Sequence, residues 1–252
     1  ASSGVALQAA PLAAENQVLF ISGPAATDGL TGVNKYTFRS GRQTYQDIQT
    51  AASFVGDLPG KTVTIFAQDS AFGQANVAAA SAVFGAEGAT VTPLLVPAAA
   101  TDLVPFAKQA ADADPNLLFV AWAGANATQM WEAMGQQGAF DGTTVVTGLD
   151  IKPTHTVFAS VADKLSLLAH YFDGATDNEE EQALVAGLAA EGKTQDLFSP
   201  DGCNAALMVV RAAQESPDDV DGMITALEGW EFEGPKGTTT IRAQDHAMLQ
   251  PM

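Results

Sequence analysis

The chain has 252 residues, with 29 acidic side chains against 11 basic ones and a formal net charge of −18. An acidic surface of that size repels nucleic acid and anionic lipid, so neither is expected as a partner. A hydrophobic fraction of 47% with 16% charged residues excludes a disordered tail and supplies enough apolar surface for one large domain or two modest ones.

In chain order, short β-branched runs alternate with longer Ala-rich runs. The opening Ala1-Ser2-Ser3-Gly4-Val5 reads as the middle of a domain, with no signal peptide in view. Residues 18–22 read as a buried strand and 23–32 as a loop. Residues 42–58 read as a helix closed by Pro59-Gly60, and 62–67 as the next strand. A helix follows over 70–84. A strand over 91–96 carries Pro93, which suits a sheet edge. A helix opens at Thr101 or Asp102 and runs to 112. Residues 117–122 form a strand apolar on both faces, 126–136 a helix ended by Gly138, and 144–147 a strand. Beyond Asp150 the pattern loosens: a strand over 165–172, helices over 177–190, 201–214 and 219–227, a loop over 229–237, and a late strand over 238–242. The acids Asp177, Glu179, Glu180 and Glu181 suit a helix N-terminus. Strand and helix in regular alternation predict α/β architecture with a parallel sheet covered on both faces.

Catalytic signatures fail on spacing. The run Gly56-Asp57-Leu58-Pro59-Gly60-Lys61-Thr62 has three residues between its glycines where a phosphate loop needs four, and it joins helix to strand rather than strand to helix. Neither a dinucleotide glycine fingerprint nor a hydrolase elbow is present. His155, His170 and His246 lack metal-ligand spacing, and the single cysteine, Cys203, reads as a small core residue. No cofactor and no metal are expected. No apolar run reaches the length of a membrane span.

In a parallel α/β sheet the strand C-termini present the ligand. The segments that follow the strands are Gly23-Pro24-Ala25-Ala26-Thr27-Asp28, Gln68-Asp69-Ser70-Ala71-Phe72-Gly73, Ala123-Gly124-Ala125-Asn126 and Gly148-Leu149-Asp150. They offer hydroxyls and amides, an aromatic ring, a glycine-lined turn and a carboxylate. This set can hold a small polar ligand and contains no evident nucleophile or base. Ordinary structural roles compete: Ser2 as a helix cap, Thr27 as a turn cap, Phe72 as core, and Asp150 in an ion pair with Lys152 or another cation.

These segments in this order resemble type I periplasmic binding proteins, in particular the leucine/isoleucine/valine-binding branch. The resemblance rests on Ser2-Ser3, the run from Phe20 to Thr31, Tyr36-Thr37-Phe38-Arg39, Asp69-Ser70-Ala71-Phe72-Gly73-Gln74, Thr101-Asp102 and Gly234-Pro235-Lys236-Gly237. It implies two doubly wound lobes joined by hinge strands, with the first lobe incomplete. Residues 1–40 and 174–235 would belong to the N-terminal lobe, and 41–173 and 236–252 to the C-terminal lobe. Hinges are implied near 36–41, 173–176 and 234–241. The implied function is an extracytoplasmic receptor, periplasmic or at the cell surface, that closes around a solute and delivers it to an ABC permease. A lipid anchor would lie upstream, and the chain itself would not insert in the membrane.

Carried over by position, Ser2, with Ser3 beside it, Ala25 through its backbone, and Thr27 would hold a ligand carboxylate. Asp150 would meet an ammonium, Phe72 would offer a ring face, and Trp122 and Ala125 would shape the apolar end. Ala125 stands where the family often has an aromatic, and Phe72 where it often has tyrosine. Both changes make the pocket roomier or more apolar and admit aromatic acids beside branched-chain amino acids. A cytoplasmic amide or amino-acid sensor of the same fold and a Rossmann-like enzyme remain as alternative readings.

Overall fold

A computed structural model describes residues 2–148 and 150–251; Ala1, Leu149 and Met252 lie outside the described residues. In chain order the helices are α1 (Ser3–Glu15), α2 (Thr44–Ala52), α3 (Ala71–Ala86), α4 (Val104–Asp112), α5 (Ala127–Gln136), α6 (His155–Phe158), α7 (Glu179–Ala190), α8 (Ser199–Glu215) and α9 (Val220–Leu227). The strands are β1 (Phe20–Ser22), β2 (Thr37–Arg39), β3 (Thr62–Asp69), β4 (Thr90–Pro97), β5 (Leu117–Ala121), β6 (Thr144–Thr147), β7 (Leu165–Leu167), β8 (Glu231–Gly234), β9 (Gly237–Ile241) and β10 (Met248–Leu249). Two compact units result: Ala1–Gln43 with His170–Met252, and Thr44–Ala169.

The unit Thr44–Ala169 is a parallel sheet in the order β4-β3-β5-β6-β7. Alternation along β5 explains why the sheet is covered twice. Leu117, Phe119 and Ala121 pack with residues of α2 and α3, such as Ile48 and Phe84. Leu118, Val120 and Trp122 pack with α4 and α5 through Ala107, Met130 and Trp131. Each buried Leu, Val, Ile, Phe or Met among them contributes on the order of 1.5–3 kcal/mol. Pro93 lies on β4, which pairs only with β3 among the described strands. The missing N–H therefore costs no ladder bond on the open side.

The other unit is built from shorter pieces. Helix α1 is capped by Ser2, whose hydroxyl accepts from the Val5 amide, and it tolerates Pro11 inside it. Its buried face is made of the small residues Ala6, Ala10 and Ala13. The sequence offers Ser2 as a cap but assigns no helix span there. Strands β1 and β2 run parallel, with Ser22 opposite Arg39. Strands β8, β9 and β10 form an antiparallel sheet, and α8 and α9 pack Met208, Ala212, Ile224 and Leu227 into its core.

The boundaries depart from those expected. Residues 236–252 lie in the unit of Ala1–Gln43 rather than with the other, because β9 pairs along β8 with Phe232 opposite Thr239, and β10 pairs along β9. The segment 234–241 is accordingly a hairpin within one unit. The chain passes from one unit to the other at 43/44 and at 169/170. Strand β7 is correspondingly short, ending at Leu167.

Candidate functional site

In the unit Thr44–Ala169 the chain leaves β3 for β4 on one side and then crosses to β5 on the other. Neighbouring connections therefore diverge at the C-terminal ends of β3 and β5, the topological switch point where such sheets hold ligands. At the end of β3, Ser70 caps α3 by accepting from the Gly73 amide. Gly73 is required there, since a Cβ would fall 1.9 Å from the Gln68 carbonyl oxygen. At the end of β5, Trp122 is buried and stacks with Phe66 at 5.6 Å. Its indole N–H donates to Asn126 Oδ1 at 3.1 Å. Gly124 makes that turn fit: a Cβ would come within 2.6 Å of Gln68 Nε2 and 2.7 Å of Asn126 Oδ1.

A cavity of about 320 Å³ opens beside this turn. Trp122 and Ala125, both singled out from the sequence, line it together with Trp131, Ile151, Val157 and Phe158. Ala125 itself is exposed. Phe72 does not line this cavity; its partly buried ring packs against the core that α2 and α3 share with the sheet. Asp150 precedes the cavity residue Ile151. Its Oδ1 lies 2.6 Å from His155 Nε2.

In the other unit the structure brings Ser3 and Thr27 together. Ser3 is buried, and its Oγ accepts from the Thr27 amide at 3.3 Å. Thr27 Oγ1 accepts in turn from the Gly29 amide at 3.4 Å. Ser2 and Thr27 thus serve as caps, with Ser2 exposed at the N-terminus of α1, where amides and the helix dipole favour an anion.

Arg39 lies behind this loop at 1% exposure. Its Nη1 donates to the Thr27 carbonyl at 2.5 Å, and its Nη2 to the carbonyls of Ala25 at 2.8 Å, Ala26 at 3.2 Å and Arg42 at 2.7 Å. Arg42 adds a bond to the Pro24 carbonyl at 3.0 Å. The two guanidiniums hold four successive loop carbonyls. Sequence reasoning assigned neither arginine a role, because a buried guanidinium and a solvated one look alike in a sequence.

A second buried polar group occupies the same unit. His170 Nε2 stands 3.7 Å from Asp201 Oδ2, with both side chains buried. The Asp201 backbone carbonyl accepts from Ser40 Oγ at 2.8 Å, and Lys236 Nζ donates to the His170 carbonyl at 3.2 Å. Burial pushes the imidazole below its ordinary value of 6.5, outweighing the opposing pull of Asp201, while Arg42 and Lys236 push the same way as burial. The Cys203 thiol, half-buried on α8, is pushed up by burial. It is therefore a poor nucleophile. Among the described residues no group of three or more His, Cys, Asp or Glu side chains is placed to hold a metal ion, and no helix is long and apolar enough to cross a membrane.

The model of a family described as periplasmic binding protein matches residues 1–252. No curated protein sequence matches the chain significantly. Among solved structures, an ABC-type branched-chain amino acid transporter from Rhodopseudomonas palustris is 31% identical, with 99% of this chain and 69% of that one covered and a TM-score of 0.73. A solute binding protein of an ABC transporter from R. palustris, in complex with 4-hydroxybenzoate, is 22% identical; the coverage is 97% and 69%, and the TM-score is 0.83. A leucine binding protein from Thermotoga maritima is 19% identical, with coverage of 97% and 71% and a TM-score of 0.81. The last two likenesses speak for the fold.

Proposed function

We propose that this chain, which belongs to the periplasmic binding protein family along its whole length, is the solute-binding component of an ABC importer. It works outside the cytoplasm, takes up a branched-chain or aromatic amino acid or a related small carboxylate, and hands the solute unchanged to a permease. The observation that carries this reading is the Ser3–Thr27 contact at the N-terminus of α1, on a loop whose carbonyls are held by Arg39. Pinned from behind, the loop is shaped before a ligand arrives, so little ordering entropy is lost on binding. Helix amides and hydroxyls then meet a carboxylate through charge-assisted bonds. In this reading Ser2, Ser3, Ala25 and Thr27 hold the carboxylate. In the same reading Trp122 and Ala125 shape the apolar end of the site, with Asp150 at the segment that enters it and Phe72 supporting from the core.

The test is a thermal-shift titration of the full-length protein with amino acids and small carboxylic acids, each beside its neutral amide. A ligand that binds the folded state raises Tm. The acids should raise it and the amides should not. Thr27→Ala should weaken the acid about tenfold or more, the scale of one lost hydrogen bond to a charged group. Chemical conversion of a bound solute, or amides binding as well as acids, would overturn the proposal.

A further inference from the structure

We propose that Asp201 is a positioning residue for solute capture: with Phe198, one helical turn before it, it anchors both passages of the chain between the two units. This inference rests on the receptor reading above, in which one solute meets residues of both units. Asp201 is fully buried, and it acts through the segments it holds rather than by touching the solute.

Both passages rest on the start of α8, within the unit of Ala1–Gln43 and His170–Met252. Residues 40–42 lead into the outgoing one. Ser40 Oγ donates to the Asp201 carbonyl at 2.8 Å, and the Ser40 amide donates to the Ser22 carbonyl at 3.0 Å. Gly41 is wedged between two oxygens: a Cβ there would collide with the Gly23 carbonyl oxygen and fall 2.6 Å from Asp201 Oδ2. The buried Arg42 guanidinium lies over the Phe198 ring at 5.4 Å. The returning passage opens with His170. Its ring centroid lies 5.7 Å from that of the same Phe198, and its Nε2 lies 3.7 Å from Asp201 Oδ2. Lys236 Nζ holds the His170 carbonyl. Two segments far apart in sequence thus converge on two side chains of one helix start.

Local structure does not account for Asp201. It caps nothing, since α8 starts with no side-chain cap bond. Its two carboxylate oxygens and His170 Nε2 are buried with no hydrogen-bond partner among the described residues. A carboxylate so placed costs stability, and an apolar side chain of similar volume would be the more stable choice. The dipole of α8 tolerates a charge in its first turn but does not choose what that charge meets. What the side chain meets is both passages. Held in the free protein, these segments have little freedom left to lose when a solute engages both units. Releasing a few of their backbone residues is enough to weaken capture about tenfold or more.

The experiment is calorimetric titration of the full-length protein with leucine, phenylalanine and benzoate, at about 20 °C, where every variant compared is folded. Asp201→Asn keeps the size of the side chain and the carbonyl that Ser40 meets; it should raise the Kd of whichever probe the wild type binds at least tenfold. Ser40→Ala removes one hydroxyl from the outgoing passage and should raise Kd about fivefold, the scale of one neutral hydrogen bond. Asp219→Ala is the control for stability alone. It removes the cap of α9 in the same unit, so it should lower Tm and leave Kd within about twofold. Should Asp201→Asn fail to fold, Ser40→Ala decides. If Asp201→Asn and Ser40→Ala bind within about twofold of the wild type, or if Asp219→Ala weakens binding as much as they do, the proposal is overturned and the receptor reading stands, since a solute has bound. If the wild type binds none of the three probes, both fall together.

Discussion

His170 shows how one side chain makes the molecule sensitive to acid. Burial holds its folded-state pKa below the ordinary 6.5, with the cations of Arg42 and Lys236 pushing the same way and Asp201 opposing. The native state therefore refuses a proton that the unfolded chain accepts. Stability is complete above the unfolded value and is lost as pH falls below about 6.5, until the folded imidazole also titrates. Melting temperature followed from pH 7.5 down to pH 5 should decline, and His170→Gln should flatten that decline. Equal slopes for the two proteins would show that the acid sensitivity lies elsewhere. The same unit buries Glu181, which accepts from Tyr171 Oη at 3.0 Å and from Thr176 Oγ1 at 2.7 Å. Burial, with Glu181 beside it, pushes the Tyr171 phenol far up, so the ring stays a hydrogen-bond donor at any physiological pH.

Among elements, the junction of β3 with α3 has the least tolerance. Gly73→Ala would drive a methyl group into the Gln68 carbonyl oxygen, which the backbone can relieve only by lifting the helix off the strand. A loss of ~1–3 kcal/mol or more is expected from such overpacking, read as a fall in the denaturant midpoint without a change in m-value. Ser70→Ala at the same helix start should cost about 1 kcal/mol through the lost cap. Elements in this unit were legible from sequence because a parallel sheet buried on both faces writes its strands as unbroken apolar runs, as over Leu117–Ala121. In the other unit that signal is thin. Helix α1 buries only alanines and carries a proline, β2 is three residues long and buried throughout, and β8 is four residues in what reads as a loop. The Ser-Ser turn and Thr27 were reachable through their resemblance to a family. Their contact spans 24 residues and could not be read from local pattern. The cavity beside Trp122 is a product of packing between α5, α6 and the segment after β6, and no spacing in the sequence encodes it.

For the whole molecule, a net charge of −18 means that the folded chain works against its own repulsion. Salt shortens the reach of that repulsion to about 10 Å at 0.1 M. Raising sodium chloride from 20 mM to 300 mM should therefore raise Tm by about 2–4 °C, the shift that ~1 kcal/mol produces at this size. A fall would mean that attractive ion pairs, such as Arg242 with Asp245 at 2.6 Å, outweigh the net charge. Arg39 has a different consequence at this scale. Over residues 25–27 the groups it grips are main-chain oxygens, and every codon supplies those. Drift in the small residues of this stretch cannot delete an acceptor, so its shape is inherited through the arginine rather than through the three residues it holds. Mutational sensitivity is thereby drawn toward the arginine, and the side chains of Ala25 and Ala26 are left open to selection for new solutes.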